Sequence, residues 1–212
     1  MFKNYLKIAL RNLLKYKVHA IINVTGLAIG LACCILIVMF VQDEFNYDKH
    51  HEKADRIYRV AGDAKFGGNH FRSAVAPAPL AETLVNDYPE VIAATRFRNR
   101  GSYLVKKEVQ NYKEEAVIFA DNAIFDVFTI PLLAGDQKTA LSAPNTVAMS
   151  LSAAGKYFPQ EMANNLQNII GKTLVFDNTT EYQITGVFED IPANSHFHFD
   201  FFLSMEGLGE SK

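Results

Sequence analysis

The strongest pattern of hydrophobic positions is an unbroken apolar stretch near the N-terminus. Residues 20–41 are 22 consecutive positions without a charged side chain, and as a helix they would be about 33 Å long. This length matches the hydrocarbon core of a bilayer, whereas helices buried in soluble proteins rarely exceed about 18 uncharged residues. We therefore predict a transmembrane helix over residues 20–41, with a buried helix of a soluble core as the alternative.

A basic periodicity precedes this stretch. Lys3, Lys7, Arg11 and Lys15 recur every four residues, so on a helix they form one stripe, while leucines and isoleucines spread over the remaining surface. We predict a cytoplasmic amphipathic helix over residues 1–19. Its basic stripe can lie on the inner leaflet, near anionic headgroups or a cytoplasmic partner. The alternative is that these charges only determine topology.

The distribution of charge predicts the orientation of the transmembrane helix. Every charged residue before it is basic, and a group of acidic residues follows it directly: Asp43, Glu44 and Asp48. Basic residues are retained on the cytoplasmic side, so we expect a cytoplasmic N-terminus and residues 42–212 on the outer side. The apolar stretch is too long for a cleaved signal peptide. An uncleaved signal anchor is therefore predicted.

Small residues mark one face of the predicted transmembrane helix. Gly26, Gly30 and Cys34 are spaced four apart, and a GxxxG face allows another helix to pack closely. We interpret the three residues as a helix-packing face. Cys33 and Cys34 are the only cysteines, so the part that follows has no disulfide and depends on its own apolar core.

The composition of residues 42–212 restricts the class of protein. This part contains 16 basic and 23 acidic residues, a formal charge of −7, which argues against a nucleic-acid partner. Apolar residues make up 49% of the whole chain, so disorder is not expected. About 170 residues suffice for one sizeable domain or two small lobes.

Local patterns in residues 42–212 predict a mixed α+β domain. Helices are expected over residues 80–88, 122–128 and 151–157. Asp121 would cap the second of these helices and Ser150 the third. Strands are expected at apolar or alternating runs: 56–60, 91–98, 102–109, 112–120, 146–149, 173–176, 182–188 and 196–201. A hairpin is predicted around Asp177 and Asn178.

Two groups of histidines are candidate metal ligands. On a strand over residues 196–201, His196, His198 and Asp200 would share one face and three phenylalanines the other; a solvated polar face is the favoured interpretation. His50 and His51 are adjacent, which is poor geometry for one ion without a third ligand. We predict no metal site.

The sequence shows no catalytic motif and no cofactor motif. Gly171-Lys172-Thr173 resembles the end of a phosphate-binding loop, but the earlier glycine is replaced by Leu166. No Gly-x-Ser-x-Gly elbow is present. We therefore expect no catalytic residues and no bound cofactor.

Three stretches together resemble one transporter family. These are residues 4–15 running into Gly26-Leu-Ala-Ile-Gly-Leu-Ala32, then Tyr47-Asp48 with Asp55-Arg-Ile-Tyr-Arg-Val60, and finally Thr185-Gly-Val-Phe-Glu-Asp-Ile-Pro-Ala-Asn-Ser-His196. In this order they resemble the start of a MacB/FtsX-type ABC transporter permease. The resemblance extends over nearly the whole chain.

The resemblance implies a fold and a set of partners. The fold would be a single N-terminal transmembrane helix followed by a periplasmic core domain, with a porter-like lobe and an inserted second lobe, in the bacterial inner membrane. The family has three further membrane helices, so the sequence resembles an incomplete permease. The implied partners are a cytoplasmic ABC ATPase, a second permease copy or paralogue, and the lipid bilayer. The implied function is export or extraction of an amphiphilic substrate.

Two other classes of protein remain as alternatives. A stand-alone signal-anchored domain could bind a ligand as a sensor. An anchored metalloenzyme could use His196, His198 and Asp200. Neither alternative explains a resemblance over the whole chain, so the permease is the favoured hypothesis.

Overall fold

The computed structural model describes residues 2–107 and 110–209, and the chain divides into two compact units between residues 47 and 48. The first unit contains two helices, α1 (Phe2–Lys15) and α2 (Lys17–Phe45). Tyr16 separates them, and its φ of −109° and ψ of 54° interrupt the helical geometry. None of the described residues of α2 is buried. By length and composition α2 can cross a membrane, and it contains the predicted transmembrane residues.

The second unit combines short helices with many strands. Its helices are α3 (Leu80–Asp87), α4 (Ile124–Val127), α5 (Leu151–Tyr157) and α6 (Pro159–Asn164), with 3-10 turns at Ala54–Arg56 and Leu166–Ile169. Its strands are β1 (Gly62–Phe66), β2 (Asn69–Ser73), β3 (Phe97–Arg98), β4 (Tyr103–Lys107), β5 (Gln110–Glu114), β6 (Val117–Ala120), β7 (Leu132–Gly135), β8 (Thr146–Ser150), β9 (Thr173–Phe176), β10 (Thr180–Phe188) and β11 (Phe201–Ser204).

Nine of the described strands form one mixed sheet. Its order is β3-β6-β11-β8-β10-β9-β4-β5, and β7 pairs with β10 outside this path. The pairs β6–β11 and β8–β10 are parallel, whereas the other pairs are antiparallel. Strands β1 and β2 form a separate exposed hairpin. The prediction of an α+β fold with one N-terminal apolar helix is confirmed.

The large sheet has an apolar layer on each face. On β11, Phe201 and Leu203 belong to one buried cluster, and Phe202 belongs to the other. Successive residues of a strand point to opposite faces, so β11 is buried on both sides. Tyr157 of α5 packs in the first layer and Phe125 of α4 in the second.

Several elements were predicted well from local sequence. Strand β9 has the predicted bounds, and helix α5 begins after Ser150, whose side chain accepts a hydrogen bond from the amide of Ala153. The hairpin between β9 and β10 turns at Asp177 and Asn178, with φ of 50° and 57°. Each of these features depends on residues close together in the chain.

Some predicted strand bounds were wrong because other groups take the backbone hydrogen bonds. The predicted strand 112–120 is two strands, and between them the Ala116 carbonyl accepts hydrogen bonds from the amides of Asp200 and Phe201. Of the predicted strand 102–109, residues 103–107 form β4, and residues 108 and 109 lie outside the described residues. Residues 57–60 form no strand, and within residues 91–98 only β3 is a strand.

The predicted cap at Asp121 was also wrong. Its carboxylate accepts hydrogen bonds from the Arg96 amide at 2.9 Å and from the guanidinium at 2.7 and 2.9 Å. Helix α4 begins after Ala123, where no side chain caps the helix, and it is only four residues long. The Arg96 side chain also donates to the carbonyl of Ala78, which ties the chain before β3 to the sheet.

Candidate functional site

The predicted inner-leaflet residues lie together on α1. Lys3, Lys7, Arg11 and Lys15 are all exposed, and their spacing places them on one side of the helix. This gives α1 one cationic face. Contact of that face with lipid or a partner stays a prediction.

The predicted helix-packing residues lie on the surface of α2. A Cβ atom added to Gly26 or Gly30 would meet no atom within 4 Å, and Cys34 is exposed. The backbone of α2 is therefore open to close approach along this face. The contact with another helix stays a prediction.

The structure does not place His196, His198 and Asp200 along a strand. Residues 196–200 are irregular, so the predicted alternation was wrong. Asp200 accepts a hydrogen bond from Ser150 Oγ at 2.8 Å, while the ring of His196 pairs elsewhere. The phenylalanines also separate, since Phe197 and Phe199 pack against the layer opposite to Phe201.

His196 instead contacts the start of the second unit. We call residues 48–53, which follow α2 after Asn46 and Tyr47, the clasp segment. Asp48 Oδ1 accepts hydrogen bonds from Ser195 Oγ at 3.2 Å and from the His196 amide at 3.0 Å, and Oδ2 lies 2.5 Å from His196 Nδ1. The Asp48 amide donates to the carbonyl of Asn194 at 2.9 Å. One carboxylate thus holds a segment 147 residues away.

The electrostatics of this contact favour the ionised carboxylate. Burial acts to raise the pKa of Asp48, but the hydrogen bonds from the amide and ring of His196 outweigh it and lower the pKa below its usual value. The His196 side chain is 72% exposed and the Asp48 side chain 35%, so solvent screens the attraction between the two side chains. The attachment at Asp48 therefore depends on several hydrogen bonds together and not on the ion pair alone.

The other end of the clasp segment binds the loop after α4. The Glu52 amide donates to Thr129 Oγ1 at 2.8 Å, and the Thr129 amide donates to His51 Nδ1 at 3.2 Å. Lys53 Nζ donates to the carbonyl of Asp126 at 2.5 Å. Residues 48–53 are therefore attached to two segments of the second unit that lie far apart in the chain.

His51 is the buried centre of the clasp segment. Its side chain is only 4% exposed, and its ring lies 5.1 Å from the ring of Phe128 and 6.2 Å from that of Phe197, measured between centroids. Burial, followed by the nearby His50, lowers the pKa of His51 below its usual 6.5. The ring is therefore neutral at pH 7.

This arrangement can act as a mechanical attachment. It joins the residues that follow α2 to two distant segments by hydrogen bonds and a buried aromatic contact. Tyr47-Asp48 and Ser195-His196 both belong to the stretches that carry the family resemblance, but no sequence pattern connects them. No local spacing relates residues 147 positions apart, so only the fold could show the pairing.

Comparison with protein families gives one match over most of the chain. The model of the MacB-like periplasmic core domain matches residues 20–212. A search of curated proteins found no matching relative.

Solved structures resemble part of the chain. A domain of a protein designated a permease, from Porphyromonas gingivalis, is 25% identical with a TM-score of 0.56, and the match covers 68% of this chain and 60% of that one. The periplasmic region of MacB from Actinobacillus actinomycetemcomitans is 18% identical with a TM-score of 0.40, covering 59% of this chain and 64% of that one. The chain thus spans less than two thirds of either structure's length.

Proposed function

The chain belongs to the MacB-like periplasmic core domain family, and from this premise we propose that it works as a permease subunit of a MacB/FtsX-type ABC transporter. A cytoplasmic ABC ATPase would hydrolyse ATP, and the permease would transmit the resulting movement to the second unit on the periplasmic side. This movement would export or extract an amphiphilic substrate. The role is transmission of movement, and bond chemistry would take place in the ATPase.

The observation that carries this proposal is the attachment of the clasp segment. Only Asn46 and Tyr47 lie between the end of α2 at Phe45 and Asp48. A displacement of the helix end would therefore reach the second unit through a connection of only two residues. The clasp segment would distribute it to residues 194–196 and to Thr129, because hydrogen-bonded and packed segments move together.

The first unit supports the membrane side of the proposal. The basic stripe of α1 would lie on the cytoplasmic leaflet, where anionic lipids attract lysine and arginine. This orientation would put residues 42–212 on the periplasmic side. The open face of α2 at Gly26, Gly30 and Cys34 would pack against a membrane helix of the permease assembly, which would contain a second copy or a paralogue.

The first test asks whether an ABC ATPase accompanies the permease. The protein is affinity-purified from its native membranes in mild detergent, captured proteins are identified by mass spectrometry, and ATP hydrolysis is measured. We expect an ATPase with a phosphate-binding loop and vanadate-sensitive hydrolysis. Capture without any such ATPase would contradict the proposal and favour a stand-alone ligand-binding domain.

The second test asks whether movement passes through the clasp segment. Cys33 and Cys34 are replaced by alanine, and a spin label is placed at the exposed position of Lys138 in each permease copy. ATP plus vanadate should shift the distance between labels in the wild type. The shift should be lost in Asp48→Ala, although ATP hydrolysis continues. Asp63→Ala, at an exposed carboxylate of the β1–β2 hairpin, is the matched control and should keep the shift.

The outcomes separate two parts of the proposal. If labels do not respond to nucleotide even in the wild type, the second unit does not move with ATP hydrolysis and the proposal is wrong. If Asp48→Ala responds like Asp63→Ala, the movement reaches the second unit by another route.

A further inference from the structure

The clasp segment contains a compact group of residues that can bind a metal ion. Asp48, His50 and His51 each offer one ligand atom, and these atoms lie within 4.8 Å of one another. The rings of His50 and His51 are 3.9 Å apart between centroids. Sequence alone showed two adjacent histidines without a third ligand. The turn of the clasp segment provides that ligand in Asp48.

Two ring nitrogens in this group are buried without a hydrogen-bond partner. They are His50 Nδ1 and His51 Nε2, and in the described part of the chain Thr95 Oγ1 is the one other side-chain atom in this state. Buried polar atoms are almost always paired in folded proteins, and an exception calls for an explanation such as an ion. The two atoms belong to adjacent residues whose ring centroids are 3.9 Å apart, which points to a ligand shared by both rings.

The hydrogen bond from Thr129 determines which ring nitrogen of His51 carries the proton before a metal ion binds. Because the Thr129 amide donates to Nδ1 at 3.2 Å, the neutral ring carries its proton on Nε2, where it has no acceptor. A metal ion binds the unprotonated nitrogen of a neutral imidazole, so binding at Nε2 requires the ring's single proton to move from Nε2 to Nδ1. That proton would face the Thr129 amide, so metal binding should open the long Thr129 hydrogen bond.

The donor set determines the class of ion. Two imidazoles and one carboxylate suit divalent transition metals, whereas calcium and magnesium prefer oxygen ligands. We propose that Asp48, His50 and His51 form a binding site for a divalent transition-metal ion, with Zn²⁺ as the first candidate.

The surroundings of the group support an ion at this position. The Asp48 carboxylate is oriented by Ser195 and His196, and such outer contacts strengthen metal ligands. A cavity of about 180 Å³, lined by His50, His51 and Glu189 among others, provides space for water as a further ligand. A bound ion would link the side chains at the two ends of the turn formed by residues 48–51, all of which belong to the clasp segment.

Zinc titration of the full chain tests this site. The protein is purified in detergent through a tag without histidine, stripped with EDTA and titrated with ZnCl₂ by calorimetry. We expect one Zn²⁺ per chain, and an affinity at least about tenfold lower in His50→Gln and in Asp48→Asn. His198→Gln and His70→Gln, at exposed histidines outside the group, are matched controls and should bind like the wild type.

Two spectroscopic measurements distinguish this site from loose binding by surface histidines. Co²⁺ should give visible absorption bands that His50→Gln abolishes. Hydrogen exchange at the Thr129 amide should accelerate when Zn²⁺ binds. Absence of Zn²⁺ binding in the wild type, or equal weakening in the control variants, would overturn the proposal. Because His50 makes none of the hydrogen bonds described for Asp48, His50→Gln should keep the ATP-dependent movement, so failure of the metal site leaves the proposed function standing.

Discussion

Helix α2 and the large sheet contain similar apolar residues but place them in opposite environments. Leu27, Ile37 and Phe40 of α2 are 60–70% exposed, at 66%, 62% and 69%, whereas Ile184 and Phe201 of the sheet are fully buried. The sheet obtains its apolar environment from its own helices and strands. The apolar surface of α2 is exposed in the described part of the chain, and a bilayer would supply the apolar environment that this surface lacks. Similar apolar side chains are therefore buried within the fold in the sheet and exposed on the surface of α2.

The largest expected contrast is between glycines of the two regions. Gly135, at the end of β7, has a φ of +96°, and an added Cβ would lie 2.2 Å from the Thr185 carbonyl oxygen. Gly135→Ala should destabilise the second unit by more than about 4 kcal/mol or prevent its folding. Urea unfolding in detergent, followed by tyrosine fluorescence, measures this loss.

The matched substitution in α2 is Gly30→Ala. An added Cβ meets no atom within 4 Å there, so the second unit should unfold at the same urea concentration as in the wild type. If Gly30 packs against another membrane helix, the variant should weaken that association in detergent. Equal destabilisation of the second unit by both variants would contradict the contrast.

The next contrast uses the same side chain in two environments. Phe201→Ala creates a cavity in a fully buried layer, so the free energy of unfolding of the second unit should fall by about 3–5 kcal/mol. Phe40→Ala, on the exposed surface of α2, should change it by less than about 0.5 kcal/mol. Denaturant unfolding of both variants in the same detergent provides the comparison. A loss below about 1 kcal/mol for Phe201→Ala would show that the layer is loosely packed.

A smaller effect concerns surface charge on the sheet unit. Lys172 hydrogen-bonds to Glu161 and thereby lowers the pKa of Glu161 below its usual 4.5. A lowered pKa stabilises the fold above 4.5, and this stabilisation is lost as the pH falls through the lower value. Lys172→Gln should move the Glu161 titration midpoint up toward 4.5 in a carboxyl-carbon NMR titration. Lys138→Gln is the control, and an unmoved midpoint in Lys172→Gln would contradict the pairing.

Local sequence was sufficient for elements whose contacts are local. The apolar run predicted α2, the Ser150 cap predicted the start of α5, and Asp177 with Asn178 predicted the β9–β10 hairpin. Each depends on hydrogen bonds or periodicity within a few residues. The α+β fold followed from these elements.

Distant contacts account for what local sequence did not predict. Alternation suggested a strand over residues 196–201, but the His196 amide donates to Asp48 and leaves the strand ladder. Asp121 has the character of a helix cap, but it binds Arg96 instead. The attachment of the clasp segment depends on the same kind of distant pairing, so the sequence did not predict it. The proposed ligands Asp48, His50 and His51 are close in the chain, and the turn that brings their ligand atoms within 4.8 Å of one another became visible only in the structure.

Hydrogen exchange of the clasp segment tests the central claim most directly. If residues 48–53 are firmly attached to the rest of the second unit, the amides of Asp48 and Glu52 should exchange slowly. The exposed β1–β2 hairpin is the reference, because an isolated hairpin is only marginally stable and its amides should exchange much faster. In Asp48→Ala these two amides should accelerate while those of β8 and β11 stay protected, and Asp63→Ala should match the wild type. If the wild-type clasp segment exchanges as fast as the hairpin, the attachment and the transmission of movement proposed from it are wrong.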